Sequence, residues 1–591
     1  MKTALRGMPL RVALLLASLM SRCALSQEAP PPTSSSGTLA SAPRDQKPEQ
    51  EPKSEVSVQD TGTTFKMRVN LVQVHVILRD ATGKAVGGMR KEDFRLYDNN
   101  KLQAITAFAI ESAESRKERS DAAAKYQVGS GENGTPVDGA VPERFIALTF
   151  DDVHLLTGDV APMRTAANGF IDSLGPSDRV GIFTTSGQVT QEFTANKELL
   201  KDILLRVISR AHTTTGACPS VSYDMAIEVG KDPMALAVLY EQARACAPEL
   251  DDFAVRALVN AAITLATETG EAEFLGAYRE LASVLRVLSS RPGERILLLA
   301  SPGFAVAPEM FSQSSEIVEY ANRSNIVINT IDALGLFTPD LFGDIAQPYA
   351  QPSQIAGQAA NVLLSVQLEK QYVLGDLAYG TGGRFFHNSN DLGGGLKQLG
   401  MVPEVSYVLG FSPETQEMDG HFHTIKVTLT GKPKYAIQAR RGYFAPKKPE
   451  DPAEIAKEEI REAVFSRDEI VGLPFTTKTQ YFQSGGVATQ LSVVAHVDLN
   501  GARFRKVDGK NSNDVTVATV LFDENGNFVA GGEKLVKLRL LDVSLEMFHR
   551  NGLFVKSTYE VKPGKYLVRQ VVRESEGSQV SAHSGMVVIP D

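Results

Sequence analysis

Cysteine, long apolar runs and runs of basic charge are all scarce in this sequence. Its 591 residues hold 3 cysteines, of which only Cys218 and Cys246 lie beyond the first 26 positions. Two thiols that are not spaced C-x-x-C are too few for a structural zinc site. The one sustained apolar run near the start, Val12–Met20, is about half the length that spans a bilayer. Long Lys/Arg tracts are missing, stacking aromatics do not interleave with basic residues, and the formal net charge is −9. Nonspecific binding to nucleic acid is therefore set aside, and peripheral attachment to an anionic membrane is not indicated. No repeat with the period of a solenoid or propeller is present.

The run Val12–Met20 follows Lys2, Arg6 and Arg11 and precedes "CALSQ". A basic start, a short apolar core and small residues at Ala24 and Ser26 predict a secretory signal over 1–26, cut before Gln27. Arg22 before Cys23 is a poor residue for a lipoprotein cleavage box. Losing Lys2, Arg6, Arg11 and Arg22 takes the net charge from −9 to −13. The expected location is periplasmic or extracellular. In that oxidising setting Cys218 and Cys246 are expected to pair, a link worth on the order of 3 kcal/mol in the chain-entropy model.

Composition and periodicity divide the mature chain further. Residues 27–62 are rich in Pro, Ser and charge and read as a disordered tether. Alternating apolar residues over 63–112 predict a small β unit, with His75 as a strand histidine. A loose linker covers 113–142. From 143 to 402, strands such as "RFIALTF" and "ERILLLAS" alternate with helical segments, the pattern of a mainly parallel, doubly wound α/β sheet. Within it, 217–275 reads as a helical insert bounded by cysteines. Strands over 403–446 are expected to close or flank that sheet, 447–470 to be a helical connector, and 471–591 a β-sandwich.

The order of "FDDVHL", "DRVGIFTTSG", "ACPSVSYDMA", "PGERILLLASPGF" and "IVINTIDALGL" in the central region resembles a von Willebrand factor type A domain. With "LVQVHVILRDATGKAVGGMRKEDFRLYDNNKLQAITAF" before it and "YVLGFSP", "DGHFHTIKV" and "RRGYFAP" after it, the chain resembles an exported, largely acidobacterial family of type A-related proteins over roughly 65–445. That resemblance implies a von Willebrand type A-like α/β fold, flanking all-β units and export. It implies no assigned biochemical role.

Type A domains often hold Mg²⁺ or Mn²⁺ through Asp-x-Ser-x-Ser after the first strand, a later Thr and a later Asp. Here Asp151 or Asp152 matches the first Asp, but neither register keeps a serine: Val153 and Leu155, or His154 and Leu156, stand there. Thr214 or Thr215 matches the Thr, and Ser301 replaces the final Asp. The expectation is a degenerate metal site of Asp151, Asp152, Thr214 and Thr215, with His154, Ser186 and Ser301 at its periphery. The same Asp/Asp/His cluster could serve acid/base chemistry, although Ser186 lacks a G-x-S-x-G elbow. It could equally be structural, binding loop amides and capping a turn.

Three motifs are weaker. His421 and His423 share one strand face without a third ligand. "DENGNFVAGGEK" fails the EF-hand template and reads as a hairpin turn. "GTGGRFF" lacks the context of a phosphate loop. The resulting expectation is an exported adhesion-type binding or scaffolding protein that engages a protein or glycan over the upper edge of its sheet. A hydrolase-like enzyme and a periplasmic assembly factor are the alternatives.

Overall fold

Strands buried at every position need cover on both faces, and three such strands set the centre of this protein. Arg144–Phe150 and Asp178–Thr184 are buried throughout, and Glu294–Ser301 at all but its first residue. The computed structural model describes residues 55–61, 72–81, 84–105, 107–112, 142–212, 217–336, 356–401, 405–411, 421–431, 435–445, 452–466, 470, 472–483 and 489–590. The expected signal 1–26, most of the tether, nearly all of the linker 113–142, and Thr214 and Thr215 lie outside these residues. Among the described residues, no helix is long and apolar enough to cross a membrane.

The central sheet has six strands: Arg144–Phe150, Asp178–Thr184, Thr190–Thr194, Glu294–Ser301, Ile326–Asp332 and Phe385–Phe386. Numbered one to six in chain order, they lie 6-5-4-1-2-3 across the sheet. All pairs are parallel except the outer hairpin between strands two and three. On one face Ile146, Leu148 and Phe150 pack under helices Thr157–Asp172, Lys197–Leu204 and Leu392–Gly400. On the other, Phe145 and Ala147 pack under Asp252–Ser289, Phe311–Arg323 and Ala356–Gly380. Burying each large side chain contributes roughly 1.5–3 kcal/mol before entropy is counted.

The helix Asp252–Ser289 runs 38 residues without a break, about 57 Å at 1.5 Å per residue. The expected end of the insert at 275 is therefore not a boundary. Tyr223–Val229 and Pro233–Cys246 form a small core with the first half of this helix and the start of Ala356–Gly380, through Val238, Leu239, Val259 and Val362.

The strands expected to close the α/β sheet do not join it. Val405–Phe411 lies between Val72–Arg79 and Ala107–Ser112, with Val408 opposite both His75 and Ala109. Phe422–Leu429 pairs with Phe94–Asp98. Residues 72–112 and 405–445 thus make one two-sheet sandwich around Val74, Leu96, Tyr407 and Phe411. Alternation identifies a strand but carries no record of which strand it meets, so this long-range pairing left no local trace.

A second correction concerns the tether. Its last residues, Val56–Thr61, are an edge strand antiparallel to Phe528–Leu540, from Val56 opposite Leu538 to Thr61 opposite Glu533. Edge strands tolerate this polar composition because only one flank is paired. The chain is consequently nested. An outer sandwich uses 56–61 and 472–590, a middle one uses 72–112 and 405–445, and the α/β unit lies inside both.

The outer sandwich docks on the amino ends of the central strands through its Asp523–Asn527 turn. Asp523 Oδ1 accepts from the amides of Asn525 (2.8 Å) and Asn527 (2.9 Å), fixing the hairpin. Arg179 Nε donates to the Glu524 carbonyl at 2.9 Å. Arg291 donates to Asn527 Oδ1 and, at 2.7 Å, to Glu192. Gly526 has φ +74°, and a Cβ there would lie 2.2 Å from Phe145 Cζ. Gly526→Ala should therefore cost about 2 kcal/mol, from left-handed strain plus this clash. The check is a lower urea midpoint, with an unchanged midpoint counting against the docking.

Candidate functional site

Strands one and four are neighbours whose chain connections leave in opposite directions, the switch point where open α/β sheets place ligands. Asp151 and Asp152 follow strand one at this point. The Asp151 amide donates to the Ala300 carbonyl at 2.9 Å and the Thr185 amide to the Phe150 carbonyl at 3.0 Å, so three strand ends meet here. Both carboxylates are buried, at 0% and 1% exposure.

Burial of two adjacent acids is tolerable only if their oxygens are satisfied. Asp151 Oδ1 accepts from Thr185 Oγ1 at 2.8 Å and Oδ2 from Ser301 Oγ at 2.6 Å. His154 Nδ1 lies 2.9 Å from both of these oxygens. Asp152 Oδ1 accepts from the Ser186 amide at 2.9 Å, and Oδ2 from Ser186 Oγ at 2.6 Å. Arg210 Nε stands 3.5 Å from Oδ2, and the Arg210 amide donates to the Asp152 carbonyl at 2.7 Å. The structure thus gathers Asp151, Asp152, His154, Ser186 and Ser301 into one cluster.

A lid covers the histidine. Phe304 stacks on the His154 ring at 5.2 Å between centroids and meets Phe274 and Tyr278 of the long helix edge-on at 6.1 and 5.7 Å. The chain reaches this position through Gly303, whose φ is +79° and where a Cβ would lie 2.6 Å from the Lys370 carbonyl. Asp224, from the first insert helix, accepts the Ala305 amide at 2.9 Å and faces Lys370 Nζ at 3.4 Å. Cys218 and Cys246 form a disulfide with Cα atoms 5.9 Å apart, tying the chain just before that helix to the end of the next.

Thr185, Arg210, Asp224 and Phe304 were not singled out from the sequence. Thr185 adjoins Ser186 and could have been found there. Arg210, Asp224 and Phe304 reach the cluster only through folding. Asp332, ending strand five, is a further strand-end acid. Its carboxylate accepts from Gln371 and the Leu334 amide, and burial raises its pKa.

Of the four expected metal ligands, the structure brings Asp151 and Asp152 together, while Thr214 and Thr215 lie outside the described residues. The hydroxyls of Thr185, Ser186 and Ser301 donate to the two carboxylates. His154, when protonated, and Arg210 set positive charge against the two acids. Among the described residues, no three His, Cys, Asp or Glu side chains are grouped to share a metal. Nucleophile activation through Ser301 is poorly served. Asp151 lies between Ser301 and His154, whereas a hydrolase needs the histidine next to the serine.

No family model matches the chain, and no curated protein matches it. Among solved structures it is similar to an aerotolerance-related membrane protein from Bacteroides fragilis, at 11% identity over 44% of this chain and 96% of that one, with a TM-score of 0.21. It is also similar to BatB from Bacteroides thetaiotaomicron, at 11% identity over 43% and 95%, with a TM-score of 0.20. Likeness at this level carries no argument about role.

The Asp151–His154 pair predicts a pH signature. Burial pushes Asp151 up, but the charge and hydrogen bond of His154, with Ser301 and Thr185, hold it below 3.8. Burial pushes His154 down, but Asp151 raises it above 6.5. The Asp151 contribution is full above 3.8 and lost as pH falls through its lowered value. The His154 contribution is full below 6.5 and lost as pH rises through its raised value. The pair therefore stabilises most between 3.8 and 6.5. Urea midpoints should fall as pH climbs past neutrality, and His154→Gln should flatten that limb. Parallel curves would show that the pair does not act this way.

Proposed function

We propose that this protein is an exported binding or scaffolding protein built on a von Willebrand type A-like domain. Its switch-point site has become an ion-independent anchor for the recognition edge. The observation that carries this reading is the saturation of Asp151 and Asp152 by side chains of the chain itself, with His154 and Arg210 as counter-charges. Support for a type A-like architecture comes from the strand order 6-5-4-1-2-3 with its antiparallel outer strand. The acidobacterial-type relatives and the periplasmic or extracellular location belong to the same proposal.

Recognition is assigned to the carboxyl edge of the sheet, where loops on a rigid scaffold commonly carry binding. Exposed apolar side chains lie along it: Leu156 after the acidic pair, Leu336 after strand five, and Leu368 and Tyr372 flanking Gln371. A protein partner suits these side chains better than a glycan, since exposed apolar surface marks protein contacts. The hydrolase-like alternative lacks a serine activated by the histidine, and nothing specific favours an assembly factor.

Calorimetric titration of the mature protein with Mg²⁺, Mn²⁺ and Ca²⁺ should give no saturable heat. Capture of a partner from exported proteins of the source cells should persist in chelator and drop at least tenfold in Leu368→Asp/Tyr372→Asp. Saturable divalent binding that Asp151→Ala/Asp152→Ala removes would overturn the ion-independent reading. Capture unaffected by the surface variant would overturn the assigned edge.

A further inference from the structure

A cavity of about 30 Å³ lies at the seam between the α/β unit and the middle sandwich, away from the acidic cluster. It is lined by His75, Asn322, Asn325, Thr381, Gly382 and Arg440, among others. This space exceeds the roughly 10–15 Å³ that one water needs. His75, which is exposed, stands at its mouth.

Arg440 is the anomaly in this wall. It is 8% exposed, its Nε is buried without a partner, and its guanidinium donates no hydrogen bond and forms no ion pair among the described residues. Its contact of note is with the Tyr443 ring, 5.9 Å from Cζ. Burial pushes its pKa down to about 10, with Tyr443 the opposing influence. A guanidinium carries five donors in a planar fork, and burying it without an acceptor or counter-charge is strongly unfavourable.

Nearby groups do not relieve it. The Gly380 carbonyl, at a helix end, already accepts from Asn322 Nδ2 at 3.1 Å, and the Gly382 carbonyl accepts from Gln438 at 3.1 Å. The neighbouring Arg441 lies 4.8 Å over the Tyr379 ring and interacts with the Asp376 carboxylate, so it draws on that acid rather than leaving it to Arg440. The backbone holds Arg440 tightly here: Gly382 has φ +81°, and a Cβ on it would lie 3.0 Å from the Arg440 nitrogen.

We propose that this seam binds a small oxyanion, a phosphate or a carboxylate, on the buried Arg440 guanidinium, with Asn325 and His75 lining its way in. The fork geometry of arginine matches either group with two parallel hydrogen bonds. An anion there would neutralise the surplus charge and fix the middle sandwich against the α/β unit. The site is separate from the upper-edge reading and does not depend on it.

The test is thermal unfolding of the mature protein with inorganic phosphate or acetate, against chloride at equal ionic strength. Two variants accompany it. Arg440→Met removes the cation and no hydrogen bond. Asn325→Asp places a built-in carboxylate at a residue with φ +48°, which Asp tolerates. Wild type should show a saturable rise in Tm with one of the anions, as ligand linkage requires, and both variants should lose it. Saturation by phosphate alone identifies a phosphate site, and by acetate a carboxylate site. No rise beyond chloride, or the same rise in all three proteins, would overturn the proposal and leave the cavity to water.

Discussion

Two adjacent carboxylates buried at the centre of a sheet edge are the constraint to which the functional end of this protein answers. Asp151 and Asp152 sit where three strand ends converge, with almost no solvent to screen them. Two neighbouring acids in such a place either share a proton or recruit positive charge. Here His154 meets one and Arg210 the other, while hydroxyls from strands two and four fill the remaining positions. The partners come from the acids' own loop, from the loop after strand two, from the end of strand four and from the segment at Arg210, so satisfying the acids draws these segments together.

The same arrangement separates this edge from one completed by a dissociable ion. His154 stands three residues along the chain from Asp151, so this partner is built into the same loop. Phe304 over the histidine, with Phe274 and Tyr278 behind it, ties that pair to the 38-residue helix. The disulfide-tied insert is therefore coupled to the acids through a lid of aromatic rings and through helix residue Asp224, which holds the Ala305 amide of the Phe304 loop.

Sequence alone made the central strands legible because burial on both faces writes itself as an unbroken apolar run. The acidic pair was legible for the same reason, since charge at the end of such a run stands out. Thr185 stood beside a residue already singled out. Arg210 and Phe304 were not legible, because each arrives from a separate loop and neither has a local pattern that points across the sheet. Strand 405–411 looked like a neighbour of the α/β sheet, yet its partners lie about 300 residues earlier. Val56–Thr61 was hidden by polar company. The two cases fail at different steps: period revealed strand 405–411 but not its partner, whereas polar composition concealed Val56–Thr61 as an element altogether.

Nesting would be expensive if each outer unit had to close a long flexible loop, because closure entropy grows with the residues enclosed. The α/β unit removes most of that cost by bringing its own ends together. Arg144, near its start, is paired with Asp178 at 2.8 Å and also donates to the carbonyl of Gly400, near its end. Once the inner unit is folded, the middle sandwich closes across a short gap rather than across the full enclosed chain. The outer sandwich then docks its Asp523–Asn527 turn on the amino ends of the same strands. Among the described residues, the carboxyl ends, with the buried acids and the exposed apolar side chains, are the end of the sheet on which the outer sandwich does not dock.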